Sequence, residues 1–178
     1  MVKRLGLLRH AKSDWDDLST RDFDRGLNDR GKRGAALMGA HILDLCSRWD
    51  RAIASPAERV KRTLEASGIQ APVQFEDEAY LADCTTLLRL ISQLDDEDNA
   101  VLVAAHNPGL QELALALAGD DRDDAIFAEL ETKFPTCAFA LFELDIDEWA
   151  DTQPGCGRLV HFARPRDLDP ELGPLNVS

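Results

Sequence analysis

Leu5-Gly6-Leu7-Leu8-Arg9-His10-Ala11-Lys12-Ser13 is an apolar run that stops at an arginine and a histidine. An apolar stretch without alternation reads as a strand buried on both faces, the habit of parallel sheets. Open α/β sheets place their ligand crevices at the carboxyl ends of such strands. Arg9 and His10 therefore stand where ligands bind. Arginine offers a planar fork of donors for phosphate or carboxylate, and histidine a ring nitrogen that titrates near neutral pH. A surface Arg–His pair at a strand end is the plainer alternative, and recurrence of the arrangement separates the two.

It recurs twice. Arg51-Ala52-Ile53-Ala54 reads as a short strand running into Ser55-Pro56-Ala57-Glu58. That tetrapeptide predicts a capping box with proline at the first helical position, Ser55 accepting from the Glu58 amide and Glu58 reaching back. Arg59 follows in the first turn, where the helix dipole disfavours a cation, so a neighbouring anion is implied. Ala100-Val101-Leu102-Val103-Ala104-Ala105 is apolar throughout and halts at His106. Asn107-Pro108 then opens a helix predicted from Gly109 through Leu117 and ended by Gly119; its first amides face the strand end, a ready anion site.

The rest of the chain alternates in the same way. Asn28 is an N-cap for a helix carrying Ala35, Met38, Ile42 and Leu45, and Asp14–Leu27 before it reads as a polar loop walling the strand end. The helix at Arg59 runs through Val60 and Leu64 to Gly68. Ala71–Phe75 reads as a strand, and Thr85–Leu94 has an apolar face. Cys137–Leu144 and Gly157–Phe162 are β-rich runs joined across Pro154-Gly155, an antiparallel pair at one side of the sheet. His41 and His161 read as packing residues. Residues 165–178, with three prolines, read as an irregular tail after a single domain over 1–164.

With 178 residues, 44% hydrophobic and 30% charged, the chain suits one α/β domain with a real core. A net charge of −13 argues against nucleic-acid and anionic-membrane partners, and obliges any anionic substrate to find a local positive pocket. Cys46, Cys84, Cys137 and Cys156 are scattered without metal-ligand spacing and read as reduced. The start of the chain lacks signal-peptide features, and no run approaches the ~18 apolar residues of a membrane span. A cytoplasmic protein is expected. Arg9, His10, Arg59 and His106 at one sheet edge suit a tetrahedral oxyanion: arginines grip phosphoryl oxygens and a neutral histidine can attack phosphorus. No carboxylate or cysteine stands beside the histidines to suggest a metal.

Leu8-Arg9-His10-Ala11, Ser55-Pro56-Ala57-Glu58-Arg59 and Ala105-His106-Asn107-Pro108-Gly109, in that order and spacing, resemble the histidine phosphatase superfamily, whose first motif is usually Arg-His-Gly. The Arg-His-Ala-Lys-Ser form, the chain length and Asp22-Phe23-Asp24-Arg25-Gly26-Leu27 resemble its small SixA-type phosphohistidine phosphatase branch. The resemblance implies a three-layer α/β/α sandwich with a mostly parallel sheet and one antiparallel strand, acting without cofactor or metal. It makes His10 the transiently phosphorylated nucleophile, and Arg9, Arg59 and a protonated His106 the holders of the phosphoryl oxygens. Ser13 and Asn107 would add hydrogen bonds, and Arg25 would border the substrate opening.

The larger branch carries a glutamate that protonates the leaving oxygen, worth ~10²–10⁴ in rate. Leu81 falls at its place here, with Glu78 and Asp83 as possible substitutes. A phosphoramidate needs that acid less, since its imidazole can be protonated beforehand. The expected substrate is therefore phosphohistidine in a protein. The alternatives are a small phosphoester metabolite, such as a sugar phosphate or nucleotide, or a non-catalytic phosphate-binding module. Specificity is expected in Asp14–Leu27 and around Tyr80–Asp83.

Overall fold

The structure, a computed structural model, describes residues 2–120 and 122–174. Six strands form one sheet: β1 (Val2–Arg9), β2 (Arg51–Ala54), β3 (Val73–Phe75), β4 (Ala100–Ala105), β5 (Phe139–Asp145) and β6 (Gly157–Ala163), in the order β3-β2-β4-β1-β5-β6. β1 to β4 are mutually parallel, and β5 runs against both its neighbours, β1 and β6.

The unbroken apolar run of β1 is explained by its two covered faces. Leu5 and Leu7 pack into a core with Leu110, Leu113 and Leu117 of α4 (Gly109–Leu117) and Leu87 and Ile91 of α3 (Cys84–Ser92). Leu8 faces the other way, toward Met38 and Ile42 of α1 (Asp29–Leu45) and Val60 and Leu64 of α2 (Glu58–Ser67). Three layers result, as expected. α5 (Asp124–Thr132), capped by Asp123, had no counterpart in the reading of the sequence; its Leu130 joins the first core.

Register brings the motifs together. Arg9 pairs with Ala105, and Ala54 with Ala104, so His10, His106 and Ser55 are each the next residue beyond a paired strand end. The ladder continues one step, through His10 N–H to Ala105 O (3.2 Å) and Ser55 N–H to Ala104 O (3.1 Å). Strand order reverses between β1 and β4, the topological position at which such sheets bind ligands.

Two glycines let backbone approach the site closely. A Cβ at Gly31 would stand 2.2 Å from the Lys12 carbonyl, so its absence lets α1 begin against the segment after His10. At Gly109 a Cβ would stand 1.9 Å from the Ala82 carbonyl, where α4 meets the Tyr80–Asp83 turn.

Asn28 caps α1 as predicted, accepting from Gly31 N–H. The expected capping box at Ser55 does not form. Helix α2 begins two residues later than predicted, the Ser55 hydroxyl accepts from Ala57 N–H at 3.2 Å, and Glu58 accepts from Arg62 instead. The reason is competition, since Ser55 is held by His106, as described below. The expected irregular tail is also corrected: α6 (Pro165–Leu168) and a 3-10 turn (Pro170–Leu172) lie along α1, where Arg30 donates to the carbonyls of Glu171 and Gly173 and Arg33 pairs with Asp169 and Glu171. The last part of that tail, 175–178, lies outside the described residues. His41 and His161 bond each other, Nε2 to Nε2 at 2.8 Å, between α1 and β6. Among the described residues no helix is long and apolar enough to cross a membrane.

Candidate active site

His10 is fixed before its side chain is considered. Its N–H and C=O are both taken, by Ala105 and by Cys137 N–H (2.9 Å). The ring Nδ1 lies 2.8 Å from the Ala11 carbonyl. A carbonyl only accepts, so Nδ1 carries the proton and Nε2 keeps its lone pair. Burial, reinforced by the charges of Arg59 and Arg9, pushes the His10 pKa down to about 4 despite the opposing Ala11 bond. The ring is therefore neutral and oriented at physiological pH, with Nε2 unprotonated.

His106 faces it, with ring centroids 5.3 Å apart. Its Nδ1 is 3.3 Å from Arg59 Nη2 and its Nε2 2.7 Å from Ser55 Oγ. Guanidinium only donates, so Nδ1 accepts and Nε2–H donates to the serine. Burial, then His10 and Arg59, push its pKa down to about 3, so the ring is neutral in this arrangement. A phosphoryl anion in the pocket would act in the opposite direction, by adding negative charge.

Arg59 comes from the first turn of α2 and is 4% exposed. It donates from Nη1 to the Asp22 carbonyl (2.7 Å) and from Nη2 to Asp22 Oδ2 (3.1 Å). Asp22 also accepts from the Tyr80 hydroxyl at 2.5 Å; that bond, with Arg59, holds the carboxyl below its usual range. The Tyr80 ring stands edge-on to His106 at 5.5 Å. Arg9 donates to the Phe134 carbonyl at 3.0 Å, while its buried Nε has no protein partner. Buried donors are normally satisfied, so this one is suited to a ligand oxygen.

The four core residues of the sequence reading are thus brought together, and the secondary ones are not. Asn107 is committed to Phe134 O (2.8 Å) and Gln111 N–H (3.2 Å), steadying the carbonyl that holds Arg9. Ser13 is buried at a bridge to Leu27 that closes the 14–27 loop. Arg25 does not border an opening. It is 5% exposed inside that loop, donating to the carbonyls of Asp14, Asp17 and Thr20 beneath the Trp15 ring. Of the substitute acids, Glu78 is paired with Arg89, and Asp83 caps α3 by accepting from Thr86 N–H (2.8 Å), which lowers its pKa. Leu81, with φ of 52°, is exposed between them.

Ser55 and Thr63 have no site role in the sequence reading, and Asp22 and Tyr80 appear there only within the two segments expected to set specificity. Ser55 carried a signal, since it directly follows a strand end; the others meet the site only through tertiary contact. Thr63 is fully buried, accepts from Ala11 N–H (2.9 Å) and donates to Arg59 O (2.7 Å), tying the segment after His10 to α2. Thr63→Val keeps the shape but strands the Ala11 amide, so we expect a loss of about 1–3 kcal/mol in denaturant unfolding together with reduced kcat. Unchanged stability would show that the bridge contributes nothing.

Residues 5–88 match the profile of the histidine phosphatase superfamily (branch 1). An uncharacterized protein of Mycobacterium tuberculosis is 37% identical over 160 residues, covering 89% of this chain and 100% of its own length. Two solved structures assigned as phosphohistidine phosphatase SixA are also similar. That from Agrobacterium tumefaciens is 32% identical, with TM-score 0.76 over 92% of this chain and 98% of its own. That from Nakamurella multipartitia is 27% identical, with TM-score 0.84 over 93% and 97%. The chain belongs to the histidine phosphatase superfamily, in its small SixA-type branch, and is a phosphohydrolase by class.

Proposed function

We propose that the chain removes the phosphoryl group from phosphohistidine in a protein, through a phosphoenzyme on His10 and without a metal. His10 Nε2 attacks phosphorus, the substrate's P–N bond breaks, and the substrate imidazole leaves with the proton it already carries. Water then cleaves the new P–N bond on His10 and releases phosphate. Arg9 and Arg59 neutralise the phosphoryl oxygens throughout, the work a metal would otherwise do.

The observation that carries this choice is the state of the nearby carboxyls. Asp22 is held ionised by Tyr80 and Arg59, Asp83 by its capping bond, and Glu78 is paired with Arg89. Asp22 and Asp83 are therefore not proton donors at neutral pH, and an alkoxide leaving group would need one. A phosphohistidine peptide should therefore exceed aryl and sugar phosphates in kcat/KM by at least ~10²-fold, the lower value of a general acid, and EDTA should change nothing. Preference for esters, slowed by Glu78→Gln or Asp83→Asn, would establish a phosphoester metabolite as the substrate instead. Tight phosphate-analogue binding without turnover of any substrate would make the chain a binding module.

A further inference from the structure

Beside the phosphoryl pocket lies a cavity of about 430 Å³ whose wall includes Arg9, Lys12, Arg30, Lys133, Arg164 and Arg166, and no carboxylate. In a chain with 33 acidic and 20 basic residues, such a concentration of one sign is not an average surface. Arg164 is paired with Asp167 and Glu129. Among the described residues the other five form no salt bridge, although Arg166 lies within electrostatic reach of Asp167; Arg9 and Arg30 bond backbone carbonyls. Gly34, within α1, also lines the cavity, and a Cβ there would meet nothing within 4 Å. The volume is that of a small-molecule site, and arginine forks match phosphate oxygens.

We propose that this cavity is a second anion site for a phosphate-bearing small molecule, continuous with the phosphoryl pocket through Arg9. The anion is either a further phosphate carried by the substrate or a free oligophosphate. A ligand here shares a wall residue with the reaction centre, so its occupancy alters the reaction. The inference rests on the phosphatase reading only in giving Arg9 its place in that centre.

Calorimetric titration of pyrophosphate into protein saturated with orthovanadate tests it. One equivalent of pyrophosphate should bind alongside vanadate. Affinity should fall at least ~10-fold in Lys133→Glu/Arg166→Glu, whose exposed side chains form no salt bridge among the described residues, since opposed charges replace attractive ones. Gly34→Leu, which fills the cavity, should also abolish it; both variants should keep their aryl phosphatase activity without pyrophosphate. A bisphosphorylated aryl substrate preferred by wild type, with the preference lost in the variants, places the anion on the substrate. Equal use of mono- and bisphosphorylated substrates, with rates shifted by pyrophosphate, makes it a free ligand. Pyrophosphate that merely displaces vanadate, or binds the variants as well as wild type, overturns the proposal. Absence of turnover with intact pyrophosphate binding would instead remove the phosphatase reading and leave the anion site standing.

Discussion

His10→Ala is expected to lower turnover by at least ~10⁴-fold and to abolish the acid-labile phosphoenzyme, because the proposed phosphoenzyme forms on the neutral Nε2 of this ring. Nδ1–H is spent on Ala11, which leaves Nε2 as the ring atom with a free lone pair. Burial of the ring sets the pH dependence. With the pKa held at about 4, kcat/KM on an aryl phosphate should stay level from pH 7 to near 5 and fall only as protonation of Nε2 begins. An exposed histidine would lose activity from about pH 6.5. Rapid quench with labelled substrate measures the phosphoenzyme; a labelled His10→Ala protein would move the nucleophile to another residue.

Arg59→Met should cost ~10²–10³-fold in kcat/KM, the scale for removing one positioned charge from a transition state. It should also raise the pKa of both histidines, since Arg59 lowers each. The consequence for stability has a definite sign. Folded pKa values of about 4 and about 3 lie below the unfolded value near 6.5, so the unfolded chain binds more protons between them. Stability is lost as pH falls from about 6.5 through these values, at roughly 1.4 kcal/mol per pH unit for each histidine. Arg59→Met should therefore be the poorer enzyme and the less acid-sensitive fold. NMR titration of the ring protons checks this, and histidine pKa values no higher than those of wild type would show that the guanidinium does not set them.

Both predictions involve residues whose importance was visible in linear order. Arg9–His10 and His106 were marked by apolar runs that end abruptly on a polar group, and Arg59 by a cation placed against a helix dipole. Each of those signals is local, so it survives without coordinates. The Ser55 capping box failed for the opposite reason: its local preference was sound, but His106 offers the same hydroxyl a better partner across the sheet. Asp83 reads as a candidate acid until its cap on α3 is seen, and Arg25 as a rim residue until the 14–27 loop closes over it. Residues 165–174 lack strong periodicity and pack along α1.

Sequence alone determined the α/β class, the three strand ends that carry the motifs, and the four residues that meet there, because burial periodicity and chain breaks are written residue by residue. Only the tertiary structure decided the protonation of His10 and His106, the pairing of Arg59 with Asp22 and Tyr80, and the gathering of six cations around one cavity. Those depend on burial and on distances between segments remote in the chain, and electrostatic energies follow distance and solvent exposure rather than sequence order.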